Sequence, residues 1–510
     1  MKRFTICLLA LTITVTAFAQ VEDDWDKKMK EARESALKDF EGFKQQVYDD
    51  YEDFRRQANE NYAKFMEEAW KAFDVNPAEE IPWQPKPVVP LEADAPTTNS
   101  KIEYDILIES PSNRLSSSVL PMESLSKIEI EESQPEPMGP ILPIYESNDI
   151  AMQPLLFYGS LFQVRVEASK GKPLKLKDAS EKSVAKMWKK LSSPYYDNIV
   201  AECLQQRKDR NLCDWAYVKL AEKMANKYFE PDSNESVVLQ MYILTQSGYQ
   251  MRMARADDKL TLLMGSKEKI YRYKYFVMDN VKYYIIDKSM QNKSMYVYDQ
   301  AFPNEKLLSL AVRQPKIQLN KTEQRTLVAE HYPNVNVTIE FNKNLLDFYN
   351  EYPISGQWNY YSKASISDVA KQELYPVLQH AIEGKNDLEA VNILLDFVQT
   401  GLEYKTDQEQ FGYERPLYPD ESMFYPFCDC EDRSILFSCL VRELVGLDVV
   451  LLNYPSHLTT AVHFNEDVKG DYLMVDDEVY VICEPTFLKG APVGRSGPQF
   501  RNQKPTVIKF

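Results

Sequence analysis

The stretch from Trp25 to Phe73 limits what this chain can fold into more than any other. Its apolar residues stand at Trp25, Met29, Ala32, Ala36, Phe40, Phe43, Val47, Tyr51, Phe54, Ala58, Tyr62, Phe65, Ala69 and Phe73. The spacings of four, three and four recur every eleven residues. Eleven residues over three turns is close to the natural helix period, so the stripe holds one face and runs nearly straight. No proline interrupts it before Pro77. The expectation is a long amphipathic helix over 20–75, about 75 Å long at 1.5 Å per residue. A stripe so rich in Phe, Tyr and Trp must be covered, either by the rest of the chain or by a second copy in a coiled coil, a homo-oligomer through the N-terminal helix. The opposite face mixes acids with lysines, which disfavours a helix lying on lipid.

Ahead of this stripe, Lys2 and Arg3 precede an apolar run from Phe4 to Phe18, and Ala17-Phe18-Ala19 offers small residues before Gln20. That pattern predicts a signal peptide, residues 1–19, cleaved after Ala19. The expected location is therefore periplasmic or extracellular. No cysteine follows the cleavage point to carry a lipid, and no later segment has the apolar length of a membrane span. A net charge of −17 excludes nucleic acid as the expected partner. Six cysteines follow Ala19: Cys203, Cys213, Cys428, Cys430, Cys439 and Cys483. They are too few to frame a chain of 510 residues. One bridge, Cys203 to Cys213 or Cys428 to Cys439, stays open at this point.

Residues 76–152 are proline-rich and acidic, as in "NPAEEIPWQPKPVVPLEADAPTT", and read as an extended linker in which "KIEYDILIES" offers an edge strand. A first globular unit follows over 153–300. It opens on the strand-like "LLFYGSLFQVRVEA", continues with helices near 181–192, 214–229 and 235–247, and ends in strands rich in Tyr, Val and Ile. A β-rich connector over 301–351, including "KLLSLAVRQPKIQLN" and "NVNVTIEFN", leads to a second unit over 352–510. Helices near 366–383 and 386–402 open that unit.

The second unit holds the chemistry. In "FYPFCDCEDRSILFSCLVREL", Ser434 to Leu444 has helical apolar spacing and Gly446 is a stop signal. Cys430 then sits at or just before a helix N-terminus, where free N–H groups and the dipole bias a thiol toward thiolate. Asp429, Glu431 and Asp432 work against that bias. A nucleophilic thiol also needs a base and an orienting group. "NYPSHLTTAVHFNED" supplies His457 and His463, six residues apart on one strand face and so about 20 Å from each other, so that only one reaches the thiol. "EVYVICEPT" supplies Glu484 at the end of the next strand.

The set "DCEDRS … HLTTAV … CEPT" resembles the transglutaminase-like superfamily, and within it the exported bacterial cysteine-protease-like members. The resemblance covers about Tyr352 to Val493. It implies an α+β chain with a papain-like transglutaminase core at the C-terminus, in which a Cys opens a helix and His and Asp lie on adjacent strands. Carried over by position, Cys430 is the nucleophile, His457 the base and Glu484 the orienting acid. Glu484 stands where the family usually has Asp before Pro-Thr, one methylene longer. The implied activity is that of a cysteine hydrolase or acyltransferase on amide or peptide bonds of a peptide, protein or cell-wall substrate, with no cofactor and no metal. The thiol and imidazole are expected to meet in a groove open to solvent.

The first unit repeats this rhythm. "SNESVVLQMYILTQSGYQMRMARADDKLTLLM … VKYYIIDKS" places Asn234 under Cys430, Lys259 under His457 and Asp287 under Glu484. The intervals are 25 against 27 and 28 against 27 residues. Residues 153–300 thus read as a degenerate transglutaminase-like unit that has lost its nucleophile and base.

Other readings compete. Zinc would draw on the thiols and histidines, but C-x-C with no second knuckle is a poor ligand pair. Cys439 and Cys483 lie in apolar runs as core thiols. His331 and His380 read as surface or structural residues. Tyr404, Gln410 and Tyr425 all precede the nucleophile as candidate oxyanion donors, with nothing to choose among them. The opposing functional class is a non-catalytic peptide-binding or assembly protein on the same fold.

Overall fold

The computed structural model describes residues 2–68, 70–81, 134–141, 143, 150–167, 174–290, 294–497, 499–500 and 503–509, with side chains of the first helix from Met29 onward except Glu31 and Ala32. The linker's "KIEYDILIES" lies outside the described residues. Helix and sheet are mixed, as an α+β chain requires. The first helix, α1, spans Lys2–Met66 and is followed by the short strand β1, Lys71–Ala72. The helix ends nine residues short of the expected boundary at 75. Trp70 is buried, its Nε1–H donates to Met66 O, and β1 joins a sheet edge, so tertiary pairing takes over where the apolar stripe alone predicts more helix.

Past the linker, β2 (Ile150–Phe157) and β3 (Ser160–Glu167) form one hairpin through Tyr158-Gly159, where the sequence reads as a single strand. Four helices follow: α2 (Glu181–Leu191), α3 (Pro194–Asp209), α4 (Asp214–Tyr228) and α5 (Asn234–Gln246). Then come β4 (Met251–Ala256), β5 (Lys259–Gly265), β6 (Tyr275–Met278), β7 (Val281–Ile285) and β8 (Tyr296–Tyr298). These five and β1 make a six-stranded sheet in the order β1-β8-β4-β5-β7-β6.

The expected β-rich connector is strand only in its second half, where "NVNVTIEFN" holds a strand as read. Residues 309–320 form no strand, while β9 (Arg325–Val328) and β10 (Asn336–Ile339) pair as a hairpin. Leu327, Val335, Val337 and Ile339 of that hairpin are buried in the core of the second unit. That unit therefore begins upstream of Tyr352. It continues through α6 (Lys343–Asn350), α7 (Trp358–Lys363), α8 (Asp368–Ile382), α9 (Asp387–Gly401), β11 (Glu403–Tyr404), α10 (Asp407–Gln410), α11 (Pro419–Phe424) and β12 (Phe427–Cys428). The helix α12 (Cys430–Leu444) precedes β13 (Val449–Tyr454), β14 (His457–His463), β15 (Tyr472–Val475), β16 (Glu478–Cys483) and β17 (Thr506–Ile508). The sheet order is β15-β16-β14-β13-β17.

Read from the other edge, the first sheet runs β6-β7-β5-β4-β8-β1, so the two sheets match strand for strand, with β1 added as a sixth. The turns match too. A two-residue turn, Asp279-Asn280 with both φ positive, joins β6 to β7, and Asp476-Asp477 does the same between β15 and β16. Two left-handed residues are what a tight hairpin needs to follow the strand twist. Register agrees as well: Ala256 faces Lys259 as Tyr454 faces His457, and Leu263 faces Ile285 as Ala461 faces Ile482. In each unit one helix, α5 or α12, packs on the two central strands.

Besides clusters of their own, the two units share one. One buried cluster holds Trp188, Tyr217 and Met253 of the first with Tyr418, Cys430, Ile435 and Leu458 of the second. Between them Tyr349, Tyr361 and Tyr418 stack at 4.3 and 4.9 Å, and Trp215 reaches Tyr352. The linker is tied at both ends as well: Glu79 pairs with Lys282, and Arg207 Nη1 donates to Pro135 O at 2.9 Å. All six cysteines after Ala19 are free and buried, so neither bridge considered above is formed. Among the described residues, no helix is long and apolar enough to cross a membrane.

Candidate functional site

Cys430 is the first residue of α12. Asp429 caps the helix in a reciprocal box with Asp432, which accepts from the Asp429 N–H at 3.2 Å and from Leu417 N at 2.7 Å. The buried Arg433 guanidinium donates to Gln399 O and Leu402 O, fixing this end of the helix to the end of α9. Ser434 Oγ donates to Leu458 O at 2.9 Å, fixing it to β14. The nucleophile candidate is thus locked against the strand that opens with His457.

His457 and Glu484 meet. The imidazole Nε2–H donates to Glu484 Oε2 at 2.8 Å, and both side chains are buried. Thr486 N and Oγ1 donate to the other carboxylate oxygen at 3.1 and 2.7 Å, so Oε2 is left for the ring. The extra methylene of Glu484 is absorbed by this clamp. Burial alone would raise the Glu484 carboxyl, but the imidazole and Thr486 outweigh it and hold the group below its ordinary value. His457 Nδ1 is buried with no partner.

The thiol lies beside this pair without bonding to it. Cys430 Sγ donates to Glu431 Oε2 at 3.5 Å, and the Leu458 amide is within hydrogen-bonding reach. Burial, reinforced by Asp429, pushes the thiol well above its ordinary value. Desolvation first, then the Asp429 and Glu484 charges, oppose the pull of the helix N-terminus on this thiol. Nor is the site an open groove. Cys430 and His457 are fully buried, and Phe500 covers the imidazole.

His463, at the far end of β14, is half-exposed and bonded to Val479 O, away from the pair. His331 is tied to Asp396 at 2.6 Å, and His380 stands exposed at a helix end. In the first unit, Asn234 opens α5 as Cys430 opens α12. Its Oδ1 accepts from Leu260 N at 2.9 Å, the counterpart of the Leu458 amide beside the thiol, and its Nδ2 donates to Asp258 O. Lys259 is exposed, and Asp287 accepts from Ser289 N. Asn234 and Asp287 are thus bonded to backbone.

Of the three donor candidates, Gln410 is committed in both directions to the Phe427 backbone, at 3.0 and 3.1 Å. Tyr425 packs on Phe411 beneath the Arg415 guanidinium. Tyr404 remains: its hydroxyl is buried without a partner, and among charged neighbours Cys430 acts on it most strongly.

One group was not legible in the sequence. Asp407, Glu414, Asp429 and Glu431 bring carboxylate oxygens within 4.8 Å of one another around the start of α12. Glu414 Oε2 is buried without a hydrogen-bond partner, while the Asp429 and Glu431 carboxyls lie within hydrogen-bonding reach of each other. The nearby Arg415 is spent on Glu421 at 2.5 Å. Burial raises all four groups, and the Asp429 charge adds to it in the other three, taking Asp407 to about 11 and Glu414 to about 7. Carboxylates this close hold protons or share a cation, and an all-oxygen donor set suits a hard divalent ion such as Ca²⁺. The search for metal ligands among thiols and imidazoles missed it because Asp407 and Glu414 lie in a distant loop. No family model, curated protein or solved structure matches this chain.

Proposed function

We propose that the chain is an exported thiol enzyme of transglutaminase-like type, acting on amide or peptide bonds through Cys430, His457 and Glu484. The observation that carries this reading is the His457 ring, held by Glu484 through Nε2 while Nδ1 stays buried and unpartnered beside the thiol-bearing helix. A base oriented by a carboxylate, with its second nitrogen free, is the arrangement that activates a nucleophile. In this reaction the thiol exchanges Glu431 for Nδ1 and gives up its proton to the ring. Sulfur attacks the carbonyl carbon, the C–N bond breaks, and the amine leaves with the proton from Nδ1. Water or a second amine then resolves the thioester, giving hydrolysis or acyl transfer. The first unit, with Asn234 in place of the thiol, caps and supports the second.

The second reading, a peptide-binding platform without chemistry, is favoured by one observation: the thiol is buried, bonded to Glu431 and pushed toward its neutral form. A thiol-directed probe on the purified chain separates the two. The enzyme predicts labelling confined to Cys430, abolished in Cys430→Ala and slowed in His457→Ala. Equal labelling of every cysteine as it becomes accessible would leave the binding protein.

A further inference from the structure

The body on which α1 docks covers the α1 stripe only in part: Tyr51 packs on Gly139 and Val47 is half-buried, while Phe40 and Phe43 stand in the open. The body grips a neighbouring face. Arg55 makes a two-pronged pair with Asp197 at 2.6 and 2.8 Å, Asn59 bonds Gln246 and Trp188, and Ala63 and Met66 are buried. At 100° per residue, these positions centre about 90° around the helix from the stripe, and among the described residues Ala58 and Tyr62 are the stripe positions the body buries fully. Phe54 and Phe65 flank these contacts, yet remain 51% and 45% exposed. Upstream, Met29, Phe40, Phe43 and Tyr51 are 53%, 61%, 67% and 43% exposed.

We infer that this stripe is the seam of a parallel, in-register coiled coil with a second copy of the chain. Three observations choose that occupant. First, the eleven-residue rhythm holds unbroken through Phe65, and a sustained repeat is what a straight partner helix requires. Second, from Arg33 to Asp50 the charges beside the seam segregate. Arg33 and Lys44 lie along one edge, Asp39 and Asp50 along the other, all exposed. In a parallel pair each edge faces the partner's opposite edge, so Lys44 meets Asp39 of the second copy; in an antiparallel pair like charges would meet. A lipid surface would instead favour lysine and arginine on both edges. Third, the area suffices. The six exposed apolar side chains from Met29 to Phe65 offer roughly 100 Å² each, about 1,200 Å² over two copies, within the range of stable interfaces.

Sedimentation equilibrium and light scattering on the full chain at micromolar concentration test this. A dimer is expected. Phe43→Glu with Phe54→Glu should weaken it at least 100-fold and lower the thermal midpoint at micromolar concentration through the lost association, while leaving the midpoint of the diluted monomer unchanged, since both rings are more than half exposed on a single chain. Lys44→Glu should weaken it several-fold, and adding Asp39→Lys should restore it. A monomeric wild-type chain would overturn the inference. If the two glutamates also destabilised that monomer, residues 82–133 of the same chain would be the cover. Binding to anionic vesicles without self-association would assign the stripe to lipid. Strengthening by Lys44→Glu would mean an antiparallel pair and overturn the arrangement proposed.

Discussion

The imidazole of His457 lies flat on the ring of Phe500, with centroids 4.3 Å apart and planes 7° from parallel. The ring screens the His457–Glu484 hydrogen bond from water, and a buried bond of this kind gains strength from the low dielectric around it. Phe500 is itself buried, on the loop between β16 and β17. Catalysis through this pair therefore requires that loop to move or to leave a substrate path beside it.

Phe500→Ala should open the site. Removing a buried phenyl destabilises by about 3–5 kcal/mol where the surroundings cannot collapse; a loop residue should fall at or below the lower end. The same change should raise the alkylation rate of Cys430 at fixed pH while the other cysteines stay slow. An unchanged rate at Cys430 would mean that access is controlled elsewhere.

Glu484 tests the orienting role. Glu484→Gln keeps an acceptor for the ring but removes the charge that stabilises the imidazolium. Turnover should fall by about 10²–10⁴, the range ascribed to general acid–base assistance, with little change in KM. Glu484→Ala should also cost stability, about 3–5 kcal/mol for breaking one side of a buried pair. Equal turnover in wild type and Glu484→Gln would remove Glu484 from the chemistry.

How far the sequence revealed this site depends on how local each signal is. Cys430, His457 and Glu484 were legible because each sits at the boundary of an element with a strong periodic pattern, where one residue of offset is visible. The matching sheet plan of the two units was legible for the same reason, since hairpins with matching turn lengths keep their intervals close. Helix α3 was not, because Asp197, Asn198, Glu202 and Gln206 are buried with its apolar residues and erase the amphipathic pattern. The carboxylate cluster was half visible: Asp429 and Glu431 flank the thiol, but Asp407 and Glu414 join them only through the fold. The end of α1 was misjudged because β1 owes its strand to a partner more than 200 residues away.

Tyr404→Phe separates a catalytic hydroxyl from a structural one. Deleting a buried hydroxyl with no partner should leave stability unchanged or raise it slightly, by up to about 1 kcal/mol. If Tyr404 donates to the developing oxyanion, turnover should drop by about 10²–10³, as when one such donor is removed. Full turnover in Tyr404→Phe would return the oxyanion role to backbone amides.

The carboxylate cluster predicts cation-linked stability. Calcium at about 100 times its dissociation constant should stabilise the fold by about 2.7 kcal/mol, read as a rise in thermal midpoint that chelator reverses. Glu414→Gln should abolish the rise while leaving the metal-free chain at least as stable, because it removes one of four mutually repelling acids. A midpoint indifferent to calcium, with Glu414→Gln less stable than wild type, would mean that the cluster is a proton-sharing structural network.

The linker's first anchor gives a pH test remote from the site. Glu79 takes Lys282 Nζ at 2.8 Å and Tyr275 OH at 3.0 Å on one oxygen, with Lys269 at 3.0 Å from the other. Burial alone would raise its carboxyl, but these donors hold it at about 2, below the ordinary 4.5. A depressed folded-state value means that the ionised form is favoured by the fold. The stabilisation is therefore complete above about pH 4.5 and disappears as pH falls through about 2. The side chain is 28% exposed, so solvent screening reduces the contribution to about 1–2 kcal/mol. Glu79→Gln should lower denaturant stability by that amount at neutral pH, with the gap to wild type shrinking through the acid range. A gap independent of pH would show that the ion pairs contribute nothing and that only the shape of the side chain matters.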